Sequence, residues 1–452
     1  MNPDIFREYD IRGIAEEDYD RDFALTLGRA YATMAAEQGA RRVSVGRDCR
    51  LTSESYAAAL KEGLRAAGLD VVDLGVCPTP LMYFSLHRLG VDGGIQVTGS
   101  HNPPEHNGFK LCLGKIAMYG EEIQELRRVI ERGAFRRGSG AEEHAPIIAP
   151  YQEYVAAQFG RLPREIAVVV DAGNATAGPV VPAIHRAMGC RVTELFCELD
   201  GRFPNHHPDP VIPKNLEQLI ARVKEVGAEI GAAYDGDADR LGLVDESGRV
   251  LWGDEMLVIF ARDVLRQHPG AVVVSEVKCS QRLFDDIAAR GGRPIMWKAG
   301  HSLLKAKMRE TGALLGGEMS GHLFFADRYF GYDDAIYASC RMLEILARTG
   351  KRIGELLADL PPSHTTPELR VECPDALKFK IVDEVREHFR ARYEIVDVDG
   401  VRVKFPQGWG LLRASNTQPV LVMRFEATTP ERLAEYRAEL EEAVARVRRR
   451  LG

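Results

Sequence analysis

Amphipathic helices alternate with short apolar strands along most of this chain, and the alternation starts afresh twice. In the first round, residues 21–38 are predicted to be a helix, Arg42–Val45 a strand and Ser53–Ala67 a helix. The pattern restarts after Pro150 and again after Gly253. Helices and strands that alternate in this way form βαβ units, because a crossover helix returns the chain to the start of the next parallel strand. The sequence therefore predicts three similar mixed α/β domains with largely parallel sheets.

The last part of the chain follows a different pattern. Residues 361–367, Pro-Pro-Ser-His-Thr-Thr-Pro, have the composition of a linker. Beyond them we expect a strand, a helix, hairpin-like strands around Val396–Phe405, a strand at Val420–Phe425 and a final charged helix. This order indicates a smaller C-terminal α+β domain. The predicted domain boundaries are 1–147, 148–249, 250–361 and 368–452.

Composition excludes several classes of protein. The 59 basic and 66 acidic residues give a formal net charge of −7 without a strongly basic block, which disfavours a nucleic-acid binder. The N-terminus carries charges where a signal peptide needs an apolar core, and no apolar run approaches the ~20 residues of a membrane span. The eight cysteines are scattered without a Cys-x-x-Cys pair. We therefore expect a cytoplasmic protein with neither a zinc site nor a disulfide framework.

One loop combines a hydroxyl group with a rigid backbone. Residues 98–103 read Thr-Gly-Ser-His-Asn-Pro, and Lys110 follows shortly afterwards. Gly99 on one side and two prolines on the other restrict the turn around Ser100, and His101 is its direct neighbour. A serine held in this way, near an imidazole and an ammonium group, suggests a nucleophile or a carrier of a phosphoryl group.

A second loop places three carboxylates at alternate positions. The strand predicted at Glu229–Tyr234 runs into Asp235, Asp237 and Asp239, which share one face if the backbone there is extended. A calcium EF-hand is disfavoured, because its sixth position needs glycine and Arg240 occupies it. Magnesium fits better, since it takes a few carboxylates and completes its octahedron with phosphate oxygens or water. The alternative is an acidic surface turn.

A third loop supplies groups suited to a sugar. In Gly-Glu-Met-Ser-Gly-His, Glu318 and Ser320 could hydrogen-bond vicinal hydroxyls, and His322 could move a proton near neutral pH. The alternative for His322 is a packed core histidine. Lys278 and His301 are nearby cationic candidates, although each of these residues alone is more often structural than functional.

A fourth loop resembles a phosphate clamp. Residues 413–419 combine the Arg413 guanidinium with two hydroxyls and an amide, those of Ser415, Thr417 and Asn416. These donors can grip a phosphate, although a polar turn between strands is an equally good explanation of the loop alone. Near the N-terminus, Tyr9 and Arg12 are further candidates for phosphate or sugar contacts. Residues 46–50, Gly-Arg-Asp-Cys-Arg, are suggestive but unspecific.

Together the four loops supply a serine, a set of carboxylates for a divalent cation, ligands for sugar hydroxyls and a phosphate clamp. Phosphoryl transfer needs a positioned nucleophile and a metal that neutralises developing charge. A separate clamp implies a substrate with a second, non-reacting phosphate. This requirement favours a sugar phosphate over ATP, and the chain has no Walker or kinase glycine motif.

With these motifs in this order, the chain resembles the α-D-phosphohexomutases, and within them the phosphomannomutase/phosphoglucomutase branch. The resemblance covers essentially the whole chain and is carried by residues 9–13, 98–110, 235–240, 317–322 and 413–419. It implies three similar α/β domains and a smaller C-terminal domain around a central cleft. Met319 and the His101–Pro104 sequence resemble the branch that acts on both glucose and mannose phosphates.

The resemblance implies a mechanism. Ser100 would carry a phosphoryl group, and one Mg²⁺ per chain would bind Ser100, Asp235, Asp237 and Asp239. The phosphoryl group would pass to a hexose 1- or 6-phosphate, giving a hexose 1,6-bisphosphate that turns over in the cleft and also activates the enzyme. Further catalytic residues would be Arg12, His101, Lys110 and His322, although which of them moves a proton stays open. Substrate contacts would come from Tyr9, Arg240, Lys278, His301, Glu318, Ser320, Arg413, Ser415, Asn416 and Thr417.

Three other functions stay open at this point. A phosphoglucosamine mutase resembles the same pattern but usually differs at the residue after the glutamate, which is Met319 here. A serine-dependent, metal-assisted sugar phosphatase would use the same serine and carboxylates. A non-catalytic sugar-phosphate sensor would require a missing catalytic element, and none is missing. We expect a monomer or a dimer with hexose phosphates as partners, and neither nucleic acid nor membrane.

Overall fold

The computed structural model describes residues 2–415 and 419–451. Four sheets are present in this part of the chain, and each belongs to one of four successive segments. Among the described residues, no helix is both long enough and apolar enough to cross a lipid bilayer. Asn416 and Thr417, which we predicted to contact substrate, lie outside the described residues.

The first α/β unit carries the serine loop. Its strands are β1 (Ile11–Ile14), β2 (Arg42–Arg47), β3 (Asp70–Val76), β4 (Gly93–Val97), β5 (His106–Leu113), β6 (Ile116–Ala117) and β7 (Glu142–His144), and its helices are α1 (Arg21–Glu37), α2 (Ser53–Ala66), α3 (Thr79–Arg88) and α4 (Glu121–Arg132). The sheet has the order β1-β5-β4-β2-β3-β7, with β6 beside β5. β4 is buried throughout and ends at Val97, directly before the serine loop. Lys110, expected in that loop, lies in β5.

The second α/β unit carries the aspartate loop. Its strands are β8 (Ala167–Asp171), β9 (Arg191–Leu195), β10 (Ile230–Tyr234), β11 (Leu241–Asp245) and β12 (Val250–Leu251), and its helices are α5 (Ile148–Phe159), α6 (Val181–Ala187) and α7 (Glu217–Val226). The order is β12-β11-β10-β8-β9, in which β10, β8 and β9 are parallel. Both β8 and β10 are buried along their whole length, as expected for parallel strands covered on both faces. β10 ends at Tyr234 and therefore delivers the aspartates to the carboxyl edge of the sheet.

The third α/β unit carries the glutamate loop. Its strands are β13 (Val272–Glu276), β14 (Arg293–Trp297), β15 (Leu315–Gly317) and β16 (Leu323–Phe325), and its helices are α8 (Gly253–Gln267), α9 (Gln281–Ala289), α10 (His301–Thr311), α11 (Ala335–Thr349) and α12 (Ile353–Leu357). The order is β14-β13-β15-β16, with β16 antiparallel. Polar residues begin two of these helices: Ser280 accepts the Arg282 N–H before α9, and Asp334 accepts the Tyr337 N–H before α11. β15 ends directly before Glu318.

The C-terminal unit is an antiparallel sheet with two helices. Its strands are β17 (His364–Thr365), β18 (Leu369–Glu372), β19 (Glu394–Val396), β20 (Val401–Phe405), β21 (Gly408–Ala414) and β22 (Val420–Ala427), and its helices are α13 (Asp375–Arg390) and α14 (Pro430–Leu451). The segment 361–367, which we predicted to be a linker, contains β17, because residues 364–365 pair with β22. The domain boundaries stay predictions; β12, which pairs within the second sheet, lies just beyond the one at 249.

The apolar core divides into one large shared cluster and smaller separate ones. The large cluster joins Val72 and Phe84 of the first unit to Val168 of the second and to Phe260 and Leu343 of the third. The C-terminal unit has a cluster of its own, formed by β-strand residues and by the inner faces of α13 and α14. The first three units therefore share one cluster, whereas the C-terminal unit has a core of its own and meets the third unit through a small cluster of Val277, Trp409 and Leu411.

Candidate active site

Ser100 lies in a strained and buried turn. Its φ angle is 48°, in the left-handed region that non-glycine residues seldom adopt, and its exposed fraction is 1%. Its hydroxyl donates to Oδ2 of Asp235 at 2.8 Å and lies 3.0 Å from Nδ1 of His101. The backbone N–H of Ser100 donates to the Thr98 hydroxyl at 2.8 Å. The serine is thus fixed against the aspartate loop of the second unit.

Arg50 holds the serine loop in this conformation. Its guanidinium is completely buried and donates to four backbone carbonyls, those of Ser100 (2.8 Å), Asn102 (2.6 Å), Pro103 (2.6 Å) and His106 (2.9 Å). Asp48 lies 3.2 Å from Nε of Arg50 and accepts hydrogen bonds from the Thr98 hydroxyl and the Gly99 N–H. Both residues belong to the segment that the sequence marked only as suggestive.

The aspartate loop is a turn, and the extended backbone expected from its alternating carboxylates is not found. Ala238 has a φ of 58° and donates its N–H to the Asp235 carbonyl. Oδ1 of Asp235 accepts the N–H groups of Asp239 (3.0 Å) and Arg240 (3.1 Å), which closes the turn. One oxygen from each of Asp235, Asp237 and Asp239 lies within 4.8 Å of the others. The carboxylates converge because the turn folds around Asp235.

Lys110 reaches into this group from β5. Its ammonium donates to Oδ2 of Asp237 at 2.6 Å and to Oδ2 of Asp239. Burial alone would lower the pKa of Lys110, but the aspartates outweigh it and raise the pKa above its ordinary value. Burial and repulsion from Asp239 and Asp237 raise the pKa of Asp235 well above its usual range. Burial would also raise the pKa of Asp237, but Lys110 reverses this effect and the pKa is lowered.

The three aspartates fit a hard divalent cation. All three side chains are completely buried, and one ammonium cannot neutralise three carboxylates. Oδ1 of Asp237 and Oδ1 of Asp239 are buried without a hydrogen-bond partner among the described residues. Converging carboxylate oxygens, two of them unsatisfied, are the ligands that Mg²⁺ prefers.

The glutamate loop joins the aspartate loop through its backbone. Arg240 and His322 form a β-bridge, and the Leu241 N–H donates to the Gly321 carbonyl at 3.0 Å. Oε1 of Glu318 accepts the Gly300 N–H at 2.7 Å. Ser320 lies half-buried in the same loop. The loops of the second and third units are therefore one continuous structure.

Two histidines stack beside these loops. The rings of His301 and His322 are 5.3 Å apart, and Nε2 of His322 accepts a hydrogen bond from Nε of Arg240 at 2.9 Å. Burial and neighbouring cations, Lys305 foremost, lower the pKa of His301 well below its ordinary value. Burial and the cations Arg240 and Arg12 do the same to the pKa of His101. Both His301 and His101 are therefore neutral near pH 7.

The N-terminal candidates border the same cleft. The Arg12 guanidinium donates to Oδ1 of Asn102 at 2.9 Å, next to the serine, and to Oδ2 of Asp10 at 2.5 Å. The Tyr9 hydroxyl donates to the Ala299 carbonyl at 2.8 Å, and the Tyr9 ring lies edge-on to His301. Tyr9 thus connects the first unit to the third, whereas both contacts of Arg12 lie within the first unit.

The C-terminal unit approaches from the opposite side through Arg413. Nε of Arg413 donates to Oδ2 of Asp399 at 2.9 Å, and the same carboxylate oxygen accepts the Ala299 N–H at 3.0 Å. Ser415 is buried, and its carbonyl accepts a hydrogen bond from Nζ of Lys378 at 2.6 Å. Asp399 therefore ties the phosphate-clamp candidate to the loop that begins α10.

Lys278 bridges the third and fourth units. Its ammonium lies 3.1 Å from Oε2 of Glu368 and 3.4 Å from Oε2 of Glu276. Burial would lower the pKa of Lys278, but these two glutamates raise it above its ordinary value. Burial in turn raises the pKa of Glu276 to about 7, and Oε1 of Glu276 accepts the Met319 N–H at 2.9 Å. Lys278 is thus a cation held beside the glutamate loop.

Direct contacts gather most of the predicted residues into one group around the serine and the aspartates. That group contains Ser100, His101, Lys110, Asp235, Asp237, Asp239, Arg240, His301 and His322, and Arg12 borders it through Asn102 of the serine loop. Tyr9, Glu318 and Arg413 join it through the segment Ala299–Gly300, and Lys278 through Glu276 and Met319. The sequence reasoning marked Asp48 only as part of a suggestive segment, and it missed Asp333 and Asp399, which lie in no recognisable motif.

This fold and site define a multi-domain α/β enzyme of the phosphoryl-transferring mutase class. Four domain families match the chain: phosphoglucomutase/phosphomannomutase alpha/beta/alpha domain I over residues 3–137, domain II over 149–248, domain III over 252–364, and the C-terminal domain over 368–443. The chain belongs to the phosphoglucomutase/phosphomannomutase family, and the predicted family and fold class are confirmed.

Individual relatives match this chain in sequence over nearly its full length. A phosphomannomutase/phosphoglucomutase of Pseudomonas aeruginosa is 44% identical over 430 residues, which is 95% of this chain and 93% of the relative. A phosphoglucomutase of Neisseria gonorrhoeae is 45% identical over 433 residues, with 94% and 93% covered. The crystal structure of a phosphoglucomutase/phosphomannomutase family protein from Burkholderia thailandensis has a TM-score of 0.93 and 45% identity, and the match covers 98% of this chain and 97% of that one.

Proposed function

We propose that this protein interconverts hexose 1-phosphates and hexose 6-phosphates of glucose and mannose through a phosphoserine at Ser100. One observation carries the proposal: the Ser100 hydroxyl lies 2.8 Å from Asp235, inside a buried group of three converging carboxylates. The relatives at 44–45% identity, which are named for glucose and mannose phosphates, support the same substrates. A hexose 1,6-bisphosphate is then the intermediate and the activator.

We assign Ser100, Asp235, Asp237 and Asp239 as the ligands of one Mg²⁺. When bound, the ion supplies positive charge to the oxygens of the transferring phosphoryl group. In the transfer, a sugar hydroxyl oxygen forms a bond to phosphorus. The bond from Ser100 Oγ to phosphorus breaks, and its electron pair passes to Oγ. The second half of the cycle reverses these events with the other phosphate of the bisphosphate.

We assign the proton transfers to His322 and a charge-stabilising role to Lys110. The Lys110 ammonium donates to Asp237 and Asp239 beside the proposed metal site, which suits a group that offsets charge on the phosphoryl oxygens. His322 lies next to the glutamate loop and takes the hydroxyl proton of the sugar at Nε2. His101 is neutral and lies beside Ser100, and Arg12 sits at the edge of the serine loop.

The remaining residues hold the sugar phosphate. Glu318 and Ser320 would bind sugar hydroxyls, with Tyr9, Arg240, Lys278 and His301 around the charged groups. Arg413 and Ser415 would grip the non-reacting phosphate, together with Asn416 and Thr417. This division explains how one site acts on both ends of a sugar, because the clamp holds whichever phosphate is not at Ser100.

The test is a coupled assay of glucose 1-phosphate conversion with Mg²⁺ and a trace of glucose 1,6-bisphosphate. Ser100→Ala should lower kcat by about 10³-fold or more. Ser85→Ala is the matched control: Ser85 is an equally buried serine of the same unit, bonded to Ser44, and its loss should leave kcat near wild type. Wild-type turnover by Ser100→Ala would refute the phosphoserine mechanism.

Two alternative functions, a phosphatase and a phosphoglucosamine mutase, predict different products or substrates. A phosphatase would release inorganic phosphate steadily, whereas a mutase that encloses its bisphosphate should release little. A phosphoglucosamine mutase would show its highest kcat/KM with glucosamine 6-phosphate. A panel of glucose, mannose and glucosamine phosphates, with phosphate release measured in parallel, separates the three activities.

A further inference from the structure

Asp333 is a buried carboxylate on which one ammonium group and two imidazole rings converge. It is completely buried. Its backbone forms a β-bridge with Phe324, which lies two residues after His322. Oδ1 of Asp333 accepts a hydrogen bond from Nζ of Lys305 at 2.7 Å. Oδ2 lies 3.1 Å from Nδ1 of His322 and 3.5 Å from Nδ1 of His301. Asp333 therefore lies directly behind both stacked histidines.

The hydrogen-bond partners of His322 define its tautomer. Nε2 accepts a hydrogen bond from Nε of Arg240, and because a guanidinium can only donate, Nε2 must carry a lone pair. The proton of the neutral ring is then on Nδ1, which faces Oδ2 of Asp333. Nδ1 also lies 3.5 Å from Oδ1 of Asp239, and neither Nδ1 nor Oδ2 of Asp333 has a hydrogen bond among the described residues, so the 3.1 Å contact with Asp333 is the shorter of the two that can hold the proton. A carboxylate at position 333 fixes the ring with Nε2 free of hydrogen.

We propose that Asp333 is a positioning residue of the mutase reaction: it holds His322 as the Nδ1–H tautomer and orients His322 and His301 toward the sugar. This inference rests on the proposed function. The sugar hydroxyl displaces the Arg240 N–H from Nε2 of His322 and passes its proton to that lone pair, and the Asp333 carboxylate stabilises the imidazolium that results. In other enzymes that use histidine as a base, a buried carboxylate likewise holds the ring in one tautomer and stabilises the imidazolium.

A second metal ion is a poorer explanation of the same cluster. Asp239, His322 and Asp333 do bring three ligand atoms within 4.8 Å of one another. However, Asp239 is already assigned to the Mg²⁺ site and lies beside the Lys110 ammonium, and Lys305 donates to Asp333 at 2.7 Å. A further divalent cation would meet two buried positive charges at short range.

Asp333→Asn tests the proposal, because asparagine keeps the shape but can donate to Nδ1. The proton of His322 would then move to Nε2, where it opposes the N–H of Arg240. We expect kcat to fall by about 10²-fold or more, with KM changed less than about threefold, since every substrate contact remains. Asp334→Asn is the matched control: Asp334 is equally buried and accepts from Tyr151 and Tyr329, but no contact joins it to either histidine. This variant should lower Tm and leave kcat near wild type.

A second readout does not depend on turnover. In protein labelled with ¹⁵N-histidine at about pH 8, where an ordinary imidazole is neutral, long-range ¹H–¹⁵N spectra should show His322 protonated at Nδ1, with the signal assigned through His322→Gln. Asp333→Asn should lose this pattern. A wild-type Nε2–H tautomer, or an Asp333→Asn variant with wild-type kcat, would overturn the inference. A wild-type protein that shows the Nδ1–H tautomer but no mutase activity would refute the proposed function instead.

Discussion

Replacing Arg50 should release the serine loop, and the structure gives the size of the effect. A hydrogen bond from a charged donor contributes about 1.5–3 kcal/mol, and removing one partner of a buried ion pair costs about 3–5 kcal/mol. The free energies of the four hydrogen bonds from Arg50 to backbone carbonyls are not additive, because water would hydrate these carbonyls in an open loop. We therefore expect Arg50→Met to destabilise the closed loop by about 3–5 kcal/mol. The left-handed backbone of Ser100 costs a further ~1–2 kcal/mol, which the contacts of Arg50 help to offset, so Arg50→Met should shift the loop toward open conformations.

Arg50→Lys should show an intermediate defect. A lysine has three donors on one atom and cannot span four carbonyls, so at least one buried carbonyl loses its partner at a cost of about 1–3 kcal/mol. Hydrogen exchange of the amides in residues 98–106 measures loop opening, and the coupled mutase assay measures kcat. We expect both to change in the order wild type, Arg50→Lys, Arg50→Met.

Arg341→Lys provides the matched control. Arg341 is equally buried and forms ion pairs with Asp327 and Asp263 in the third unit, away from the serine loop. Its replacement should lower Tm without changing exchange in residues 98–106. If Arg50→Met retained wild-type kcat and wild-type exchange in this loop, Arg50 would not be what holds Ser100 in place.

Three further predictions follow from single sites. Gly300→Ala should lower kcat/KM by about tenfold or more, because a Cβ would lie 2.4 Å from the Tyr9 ring, whereas Gly270→Ala has positive φ but open space and should stay near wild type in steady-state assays. His206 pairs with the buried Asp171, whose charge outweighs burial and raises the pKa of His206. The stability that this pair adds is full below the ordinary histidine pKa and is lost as pH rises through the raised pKa. The loss of unfolding free energy in His206→Gln should therefore be larger at about pH 6 than at about pH 8.5. Mg²⁺ should raise Tm and chelation should lower it, and a Mg²⁺ shift that survives in Asp239→Asn would contradict the assigned ligands.

The catalytic loops were predictable because each follows a buried strand. β4, β10 and β15 read as short apolar segments, and in each of the three sheets the polar loop lies beyond the carboxyl end of one such strand. The family resemblance then ordered the loops by function. The turn around Asp235 was not predicted, since alternating carboxylates fit an extended strand as well as a turn closed by backbone N–H groups.

The supporting residues were not predictable, for a physical reason. Arg50 binds carbonyl oxygens about fifty positions away, and carbonyls leave no trace in the pattern of side chains. Asp333 and Asp399 act through side chains from other strands and loops, so their roles follow from the tertiary structure alone. The pairing of residues 364–365 with β22 was missed because Pro and Ser around them are typical of linkers.

The division of the apolar core sets the order in which the units can fold during synthesis on the ribosome. The cluster shared by the first three units runs from Val72 to Leu357, so it cannot close until nearly four-fifths of the chain has been made. The C-terminal unit, with its own core, folds afterwards and brings Arg413 to a cleft that already exists. A nascent chain halted before β17 would thus contain the serine and the three aspartates on their own units but lack Arg413, the candidate phosphate clamp.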